Sequence, residues 1–261
     1  MLSLLRFCVS TWKANLLSLL EYRIAFIMQI AGMILNDGIY LAFWAIFFSH
    51  VKNIGGHSFR DILLIYAFIT TAFGLNSLLF GNARRIAGMI VEGGLDYYLS
   101  MPRPVLLHIL ISRSVSSAAA DIIFGLICLV FSGRTSPADI ALFSLIVPMS
   151  MAVMLGFDIL LQSFAFWLGD IRSVALNMTQ AALTFSFYPN HLFSSFTRVI
   201  LFTVIPAAYF STVPARILTG PDIKLLGLLL TAAVFFIMAS RKVFYAGIKR
   251  YESTGYFTSL G

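Results

Sequence analysis

Six long runs of apolar residues dominate the chain, and polar or glycine-rich segments separate them. A helix that crosses a bilayer needs about 20 mostly apolar residues, and the runs reach or approach that length. They are continuous rather than alternating, so they predict helices and not the strands of a β-barrel. The predicted spans cover residues 24–48, 61–80, 105–131, 140–162, 167–187 and 223–245. The predicted fold is therefore an all-α integral membrane protein, with one transmembrane domain over residues 1–261.

Residues 1–22 form a segment of a different type. Leu5, Val9 and Trp12 recur at three- and four-residue spacing, which places apolar side chains on one face of a helix. Charged and hydroxyl side chains lie largely elsewhere on the helical wheel. This pattern predicts an amphipathic helix that lies in the membrane interface, because the segment is too polar to span. The alternative is a loosely structured lead-in to the first span.

Residues 81–104 make a long connection between the second and third predicted spans. The apolar residues before Gly93 and Gly94 predict a short helix that the paired glycines stop. Pro102 and Pro104 then stiffen the entry into the third span. A short projecting helix with charged and apolar groups fits docking onto a soluble partner. The alternative is an ordinary basic loop at the membrane surface.

Residues 188–221 connect the last two predicted spans on the opposite side of the membrane. They contain an apolar run of about 12 residues, which is too short to cross the bilayer. Pro206 interrupts this run, and Pro214 follows it. The pattern predicts a re-entrant hairpin that caps a pathway, because such a backbone needs protein or a water-filled cavity around it. The alternative is a helix lying flat on the outer leaflet.

The composition agrees with a membrane protein and excludes several other classes. Hydrophobic residues make up 59% of the 261 residues and charged residues 11%, and the mean hydropathy is +0.91. A soluble domain of this length cannot bury so much apolar surface. A soluble enzyme, a nucleic-acid-binding domain and a disordered chain are therefore excluded.

The distribution of Lys and Arg predicts the orientation in the membrane. The net charge is +7, and basic residues concentrate in loops that face the cytoplasm. With six spans, the side that holds both termini collects twelve Lys and Arg residues, whereas the other side collects six. We therefore expect a multi-pass protein with both termini in the cytoplasm, whose positive charge serves orientation and not a nucleic-acid partner.

Polar side chains inside predicted spans include four candidate functional residues, in a region where a charged group is costly. Asn36 and Asp37 lie near the middle of the first span, Asp121 near the middle of the third and Asp158 in the inner part of the fourth. One interpretation is a proton relay or a cation-binding site; the other is hydrogen bonding that fixes how the spans pack. The second is favoured, because a proton-driven pump usually needs a partner charge at depth. Arg113 lies about 12 Å along the helix from Asp121 and is not an adjacent partner.

The chain carries no motif of a nucleotide-binding or catalytic site. It has no phosphate loop of the Gly-x-x-x-x-Gly-Lys-Ser/Thr type, so it does not hydrolyse ATP alone. It also lacks a His-Glu-x-x-His zinc motif and a Gly-x-Ser-x-Gly nucleophile elbow. We therefore expect no catalytic residue, no metal site and no cofactor in this chain.

Three motifs occur along the chain in an order that points to a known family. They are Glu21-Tyr22-Arg23, then Gly94-Leu95-Asp96 with Leu99 and Pro102, and finally Phe244, Gly247 and the run from Lys249 to Gly255. In this order they resemble the type-2 permeases of bacterial ATP-binding cassette exporters, specifically a six-span subfamily with a Gly-x-Leu-Asp-x-x-Leu-x-x-Pro signature. The resemblance covers almost the whole chain.

The resemblance implies a multi-subunit exporter of the bacterial inner membrane. A separate ATPase subunit would hold ATP and Mg, and the permease would dimerise with an identical or homologous second permease within the lipid. The N-terminal helix and the first cytoplasmic loop would form the coupling surface, and Pro206 and Pro214 would belong to an outer gate. The residues that the resemblance places in or beside the coupling helix are Arg84, Arg85, Ile86, Ile90, Glu92, Gly94, Leu95 and Asp96.

Two other functions stay open beside the ATP-driven exporter. An ion-coupled secondary transporter would use Asp37, Asp121 and Asp158, whereas a membrane scaffold or immunity subunit would move no substrate. The resemblance implies export of drugs, natural products, peptides or lipids, and no residue in the sequence selects one of these classes.

Overall fold

The computed structural model describes residues 2–21, 23–51, 53, 56, 58–189 and 193–252. Within them the ordered elements are helices and turns, which confirms the predicted all-α class. Residue 22 of the first family motif, residues 190–192 of the 188–221 connection and the end of the C-terminal motif from residue 253 lie outside the described residues.

Thirteen α-helices follow one another along the described residues. In chain order they are α1 (Leu2–Glu21), α2 (Arg23–His50), α3 (Phe59–Leu79), α4 (Ile86–Val91), α5 (Leu95–Leu99), α6 (Val105–Ile111), α7 (Ala118–Phe131), α8 (Pro137–Ser163), α9 (Ala165–Leu168), α10 (Arg172–Ser186), α11 (Ser195–Thr203), α12 (Thr212–Thr219) and α13 (Ile223–Ile248). Four are long and apolar enough to cross a membrane: α2, α3, α8 continued by α9, and α13. Counting α11 and the bent helical residues after it as one span makes five among the described residues.

The third predicted span is not one continuous helix, which corrects the expectation of a single helix over residues 105–131. Turns separate α6 from α7. The backbone N–H of Gly81 donates to the carbonyl of Arg113 at 3.0 Å, and that of Val115 donates to the carbonyl of Ser77 at 3.1 Å. Backbone groups at the break are therefore satisfied by the end of α3, a distant contact that local periodicity does not encode.

The expectation of one continuous helix over residues 167–187, the fifth predicted span, is also corrected. It contains the 15-residue helix α10, which begins at Arg172. Gly169 ends α9 with a φ of 73°, a backbone conformation that glycine adopts without strain. At 1.5 Å per residue α10 extends about 22 Å, which is shorter than the ~30 Å hydrocarbon core.

α3 is the central helix of the bundle, and most of its residues are buried. Two glycines bring neighbouring helices into close approach. A Cβ at Gly125 of α7 would overlap the hydroxyls of Thr70 and Thr71, and a Cβ at Gly156 of α8 would overlap the backbone of Phe236 in α13. α2 lies at the periphery and exposes most of its apolar side chains.

Replacing Gly125 with Ala is expected to separate α7 from α3. A matched Gly227→Ala change on α13 meets no atom within 4 Å, so helix propensity should stabilise that variant by up to about 1 kcal/mol. At Gly125 the overlap with α3 outweighs this gain, and we expect a net loss of about 1–3 kcal/mol. Thermal unfolding of both variants in detergent measures the difference; a raised midpoint for Gly125→Ala would contradict the close approach.

The connecting segments lie at two opposite ends of the molecule. At one end, α4 packs against α9 and the ring of Phe166 packs against Tyr251, 6.3 Å between centroids. At the opposite end, Arg134 donates to the carbonyl of Thr219 at 3.4 Å. Residues 81–104, the connection after α8 and the chain after α13 therefore share one end, as the predicted topology requires.

The connection over residues 188–221 bends where Pro206 was expected to break it. α11 and the helical residues 207–219 meet at an angle of 73°. Pro214 lies in the first turn of α12, where its missing N–H has no intrahelical acceptor to lose. The hydroxyl of Ser186 donates to the carbonyl of Ala207 at 2.9 Å, so the bend is attached to the end of α10.

Candidate functional site

Residues 81–104 fold into short helical pieces that pack onto the bundle. A 3-10 turn at Ala83–Arg85 leads into α4, and the chain leaves α4 at Glu92 and Gly93. Gly93 has a φ of 76°, which an L side chain rarely adopts. The predicted short helix with a glycine stop is confirmed, and α5 follows it directly.

The eight residues that the resemblance places at the coupling helix have different surroundings. Three are apolar and buried beneath the segment: Ile86, Ile90 and Leu95. Three are exposed to solvent: Arg85, Glu92 and Gly94. The remaining two, Arg84 and Asp96, are partly buried and face other parts of the protein. A partner therefore has direct access to these three exposed residues and to neighbours such as Tyr97.

Arg84 points into the bundle and pairs with Asp158 of α8. Its Nε lies 3.4 Å from Oδ2 of Asp158, and its Nη2 donates to the hydroxyl of Ser77 at 2.9 Å. Asp158 is completely buried, and Asn76 and Thr179 donate to its carboxylate at 3.3 and 2.9 Å. An opposite charge and several donors are what a buried carboxylate requires. These five residues, here called the Arg84 cluster, join α3, the 81–104 segment, α8 and α10.

Two backbone contacts attach the same segment to its neighbours. The side-chain carbonyl of Gln162, on α8, accepts from the N–H of Ala87 at 3.0 Å. Asn82 donates from its side-chain amide to the carbonyl of Ile109 at 3.1 Å. With Arg84, these contacts fix the first turn of α4 to α8 and α6, so the segment moves with the bundle rather than independently.

The exposed edge of the segment is attached to the start of α10 and to the chain after α13. Arg172 forms an ion pair with Glu92 and also donates from Nε to Asp170 at 2.8 Å. These bonds from Arg172 lower the pKa of the Asp170 carboxyl below its usual value. Burial, together with the neighbouring Asp96 carboxylate, raises the pKa of the Tyr251 hydroxyl to about 12.

The N-terminal helix α1 packs at the same end of the molecule, and the predicted helix is confirmed. Nε1 of Trp12 donates to the carbonyl of Leu79 at 2.9 Å, and the Asn15 amide donates to the carbonyl of Ile111 at 3.0 Å. Trp12 belongs to the predicted apolar face, whereas Leu5 of that face is exposed. α1 therefore contacts the ends of α3 and α6 that border the 81–104 segment.

Asp37 and Asp121 meet at one cavity, although they lie on different helices. α2, α3, α7 and α10 line this cavity, which has a volume of about 230 Å³. The two residues are 7% and 2% exposed, and the Oδ2 atom of each accepts no hydrogen bond from the described residues. Asn36 also lines the cavity and donates to Oδ1 of Asp37 at 3.4 Å.

Phe73 of α3 connects the cavity with the Arg84 cluster. Its ring lines the cavity, and the guanidinium carbon of Arg84 lies 4.4 Å from the ring centroid. A cation over an aromatic face is attracted by the ring quadrupole. A displacement of Arg84 would therefore act on one wall of the cavity and on Asp158 at the same time.

The residues that complete this site were not predicted from the sequence. Asp158 pairs with an opposite charge inside the protein, although no such partner was recognised in the sequence. The partner is Arg84 of the 81–104 segment. Phe73, Asn76 and Thr179 belong to no motif that was recognised in the sequence. The adjacent polar pair Asn76-Ser77 near the end of an apolar span is a signal that could have marked this part of the cluster.

Comparison with known proteins gives one family match. The model of the family described as "ABC-2 family transporter protein" matches residues 34–255. The match includes the cavity aspartates, the 81–104 segment and the Arg84 cluster. No curated protein matches the chain in a sequence search.

Proposed function

Because the chain belongs to the ABC-2 transporter family, as a multi-pass membrane permease, we propose that it forms the pathway of an ATP-driven exporter. Permeases of this family are membrane components, and the ATPase is usually a separate subunit. The chain has no phosphate loop of its own. ATP and Mg would therefore be held by a partner ATPase subunit.

We propose that six segments cross the inner membrane, with both termini in the cytoplasm. The broken pair α6–α7 and the short helix α10 would complete the four long helices. Basic loops face the cytoplasm, and the segments predicted for that side share one end of the molecule. The bent pair α11–α12, with Pro206 and Pro214, would then form the outer re-entrant gate.

The observation that carries the proposal is the contact of Arg84 with Asp158 and Phe73. The ATPase would bind the exposed residues Arg85 and Glu92. Closure of the ATPase would displace the 81–104 segment, and Arg84 would transmit that displacement to α8 and to the cavity wall. A second permease, identical or homologous, would pack against the exposed apolar face of α2.

Charge reversal at Arg85 tests the coupling surface. Arg85→Glu should lower the amount of ATPase that co-purifies in mild detergent by about tenfold, because the new negative side chain would face an acidic docking surface on the ATPase, and like charges across an interface repel. Arg216→Glu, an equally exposed reversal at the opposite end, is the matched control and should leave co-purification unchanged. Equal recovery of the ATPase with both variants would contradict the assignment of the 81–104 segment as its docking surface.

An ion-coupled secondary transporter is the second candidate, favoured by the Asp37 and Asp121 carboxylates at the cavity, whose Oδ2 atoms accept no hydrogen bond from the described residues. Its test is transport in vesicles without nucleotide. Transport that continues without ATP and stops when an ionophore collapses the proton gradient would support this candidate against the exporter. A scaffold or immunity subunit would move no substrate under either condition.

A further inference from the structure

We propose that the cavity between α2, α3, α7 and α10 binds an apolar organic cation, such as an aromatic amine or quaternary ammonium compound. This inference rests on the proposed export function, because it names the substrate class that the pathway takes. Asp37 and Asp121 provide two buried carboxylates that line the cavity, and their Oδ2 atoms accept no bond from the described residues. Buried carboxylates without a cationic partner are costly in a membrane protein. A cation inside the cavity would supply the missing partner.

The residues that surround the carboxylates add no positive charge. No Lys or Arg is among the sixteen residues that line the cavity. Arg84 lies behind the Phe73 ring and is occupied by Asp158 and Ser77. The cavity therefore presents two acidic groups and no basic side chain to whatever enters it, and it disfavours anions.

The walls of the cavity fit an organic cation better than a metal ion. Seven of the sixteen lining residues are aromatic. Trp44 packs against Tyr188 with centroids 5.8 Å apart, and Tyr66 packs against Phe187 at 4.9 Å. Aromatic faces bind quaternary and protonated amines through cation–π attraction. Among the described residues no group of three or more His, Cys, Asp or Glu side chains is arranged to hold a metal ion.

The volume limits the size of the ligand. The cavity of about 230 Å³ is larger than the ~150 Å³ cavity that accommodates benzene in an engineered protein. It is smaller than the ~300–1,000 Å³ of pockets for drug-sized ligands. A cation with one ring or two fused rings matches this range.

Binding of radiolabelled benzyltrimethylammonium to the purified full-length protein in lipid nanodiscs tests the proposal. This probe has one ring and a fixed positive charge, and it does not require ATP or the partner subunit. Two competitors have the same shape: uncharged neopentylbenzene and anionic benzylsulfonate. We expect unlabelled benzyltrimethylammonium to displace the label and both competitors to leave it bound. If neopentylbenzene displaced the label as effectively as the unlabelled cation does, the proposal would be overturned, since the site would then not recognise charge.

Variants of the two aspartates locate the binding site. Asp37→Asn and Asp121→Asn should each weaken probe binding about tenfold, because each removes one charge from a site of low dielectric constant. Asp139→Asn, at the first turn of α8 outside the cavity, is the matched control and should bind as the unchanged protein does. Asp37→Glu keeps the charge and should retain most of the binding, which separates loss of charge from loss of folding. Full binding by both Asn variants would overturn the proposal.

Co-purification of the ATPase, measured on the same preparations, separates this inference from the proposed function. If the ATPase co-purifies and the probe does not bind, only the inference on the substrate class fails. If the probe binds through Asp37 and Asp121 but no ATPase accompanies the chain, the exporter proposal fails and the cation site stands.

Discussion

Replacing Asp158 with Ala is expected to lower the free energy of unfolding by about 3 kcal/mol and to impair coupling to the ATPase. Asp158 is completely buried and accepts from Asn76 and Thr179 while it pairs with Arg84. Removing one partner of a buried ion pair leaves the other charge uncompensated, at a cost of about 3–5 kcal/mol. The lower figure applies because the Arg84 side chain is 26% exposed and water reaches it.

Asp158→Asn separates the charge from the hydrogen bonds at this position. The amide oxygen of Asn accepts from Thr179 as a carboxylate does, but the variant has no charge for Arg84. We therefore expect a smaller loss of stability than with Ala. Thermal unfolding in detergent measures the stability, and co-purification of the ATPase measures whether the 81–104 segment keeps its conformation.

A double-mutant cycle shows whether the effect passes through Arg84. Arg84→Met removes the cation and keeps an apolar side chain of similar length. If the two residues act as a pair, the double variant Arg84→Met with Asp158→Ala should lose less stability than the sum of the single losses. Ser150→Ala, at another buried polar position of α8, is the matched control and should add to Arg84→Met without coupling. Additive losses for Arg84 and Asp158 would contradict a direct interaction.

The local pattern of apolar residues predicted the helices that run unbroken through the bundle. α2, α3, α8 and α13 lie where the apolar runs lie, because a long apolar stretch has a stable conformation in lipid only as a helix. The break between α6 and α7 was not predictable in this way. Its backbone groups bond to residues 77–81, and that pairing depends on tertiary contact rather than on the composition of the run.

The same limit applies to the charged residues of the site. Arg84 follows an apolar span, which is the ordinary position of a basic residue in a cytoplasmic loop. Its partner Asp158 is 74 positions away, and no local spacing joins them. For Asp37 and Asp121 the sequence predicted the depth in the membrane. The two side chains line one cavity because of the rotation of α2 and α7 about their own axes. Apolar spans do not specify this rotation strongly.

Phe73→Ala is expected to uncouple ATP hydrolysis from movement of the cavity wall. The Phe73 ring is the part of the cavity that touches Arg84, at 4.4 Å from the guanidinium carbon to the centroid. Without the ring, displacement of the 81–104 segment no longer reaches the cavity through this contact. The ATPase still binds the exposed edge of the segment, so hydrolysis should continue while the cavity stops responding to nucleotide.

Thiol labelling measures this response without a known substrate. Thr184 lines the cavity and is exposed to it, so Thr184→Cys in a background lacking Cys8 and Cys128 reports access from solution. In the reconstituted complex that carries only the Thr184→Cys label site, ATP should change the labelling rate by about tenfold. A change of this size is typical of allosteric coupling. Phe73→Ala should abolish this change and preserve ATP hydrolysis, whereas Phe73→Tyr keeps the ring and should keep the change.

Phe131→Ala provides the matched control for loss of an aromatic side chain, because Phe131 is exposed at the end of α7 and does not line the cavity. It should leave both hydrolysis and the ATP-dependent labelling unchanged. A normal labelling response in Phe73→Ala would mean that the segment acts on the cavity by another path. The contact of Ala87 with Gln162 of α8 and the ion pair of Glu92 with Arg172 of α10 would then be the routes to examine, and Arg84 would serve only to stabilise Asp158.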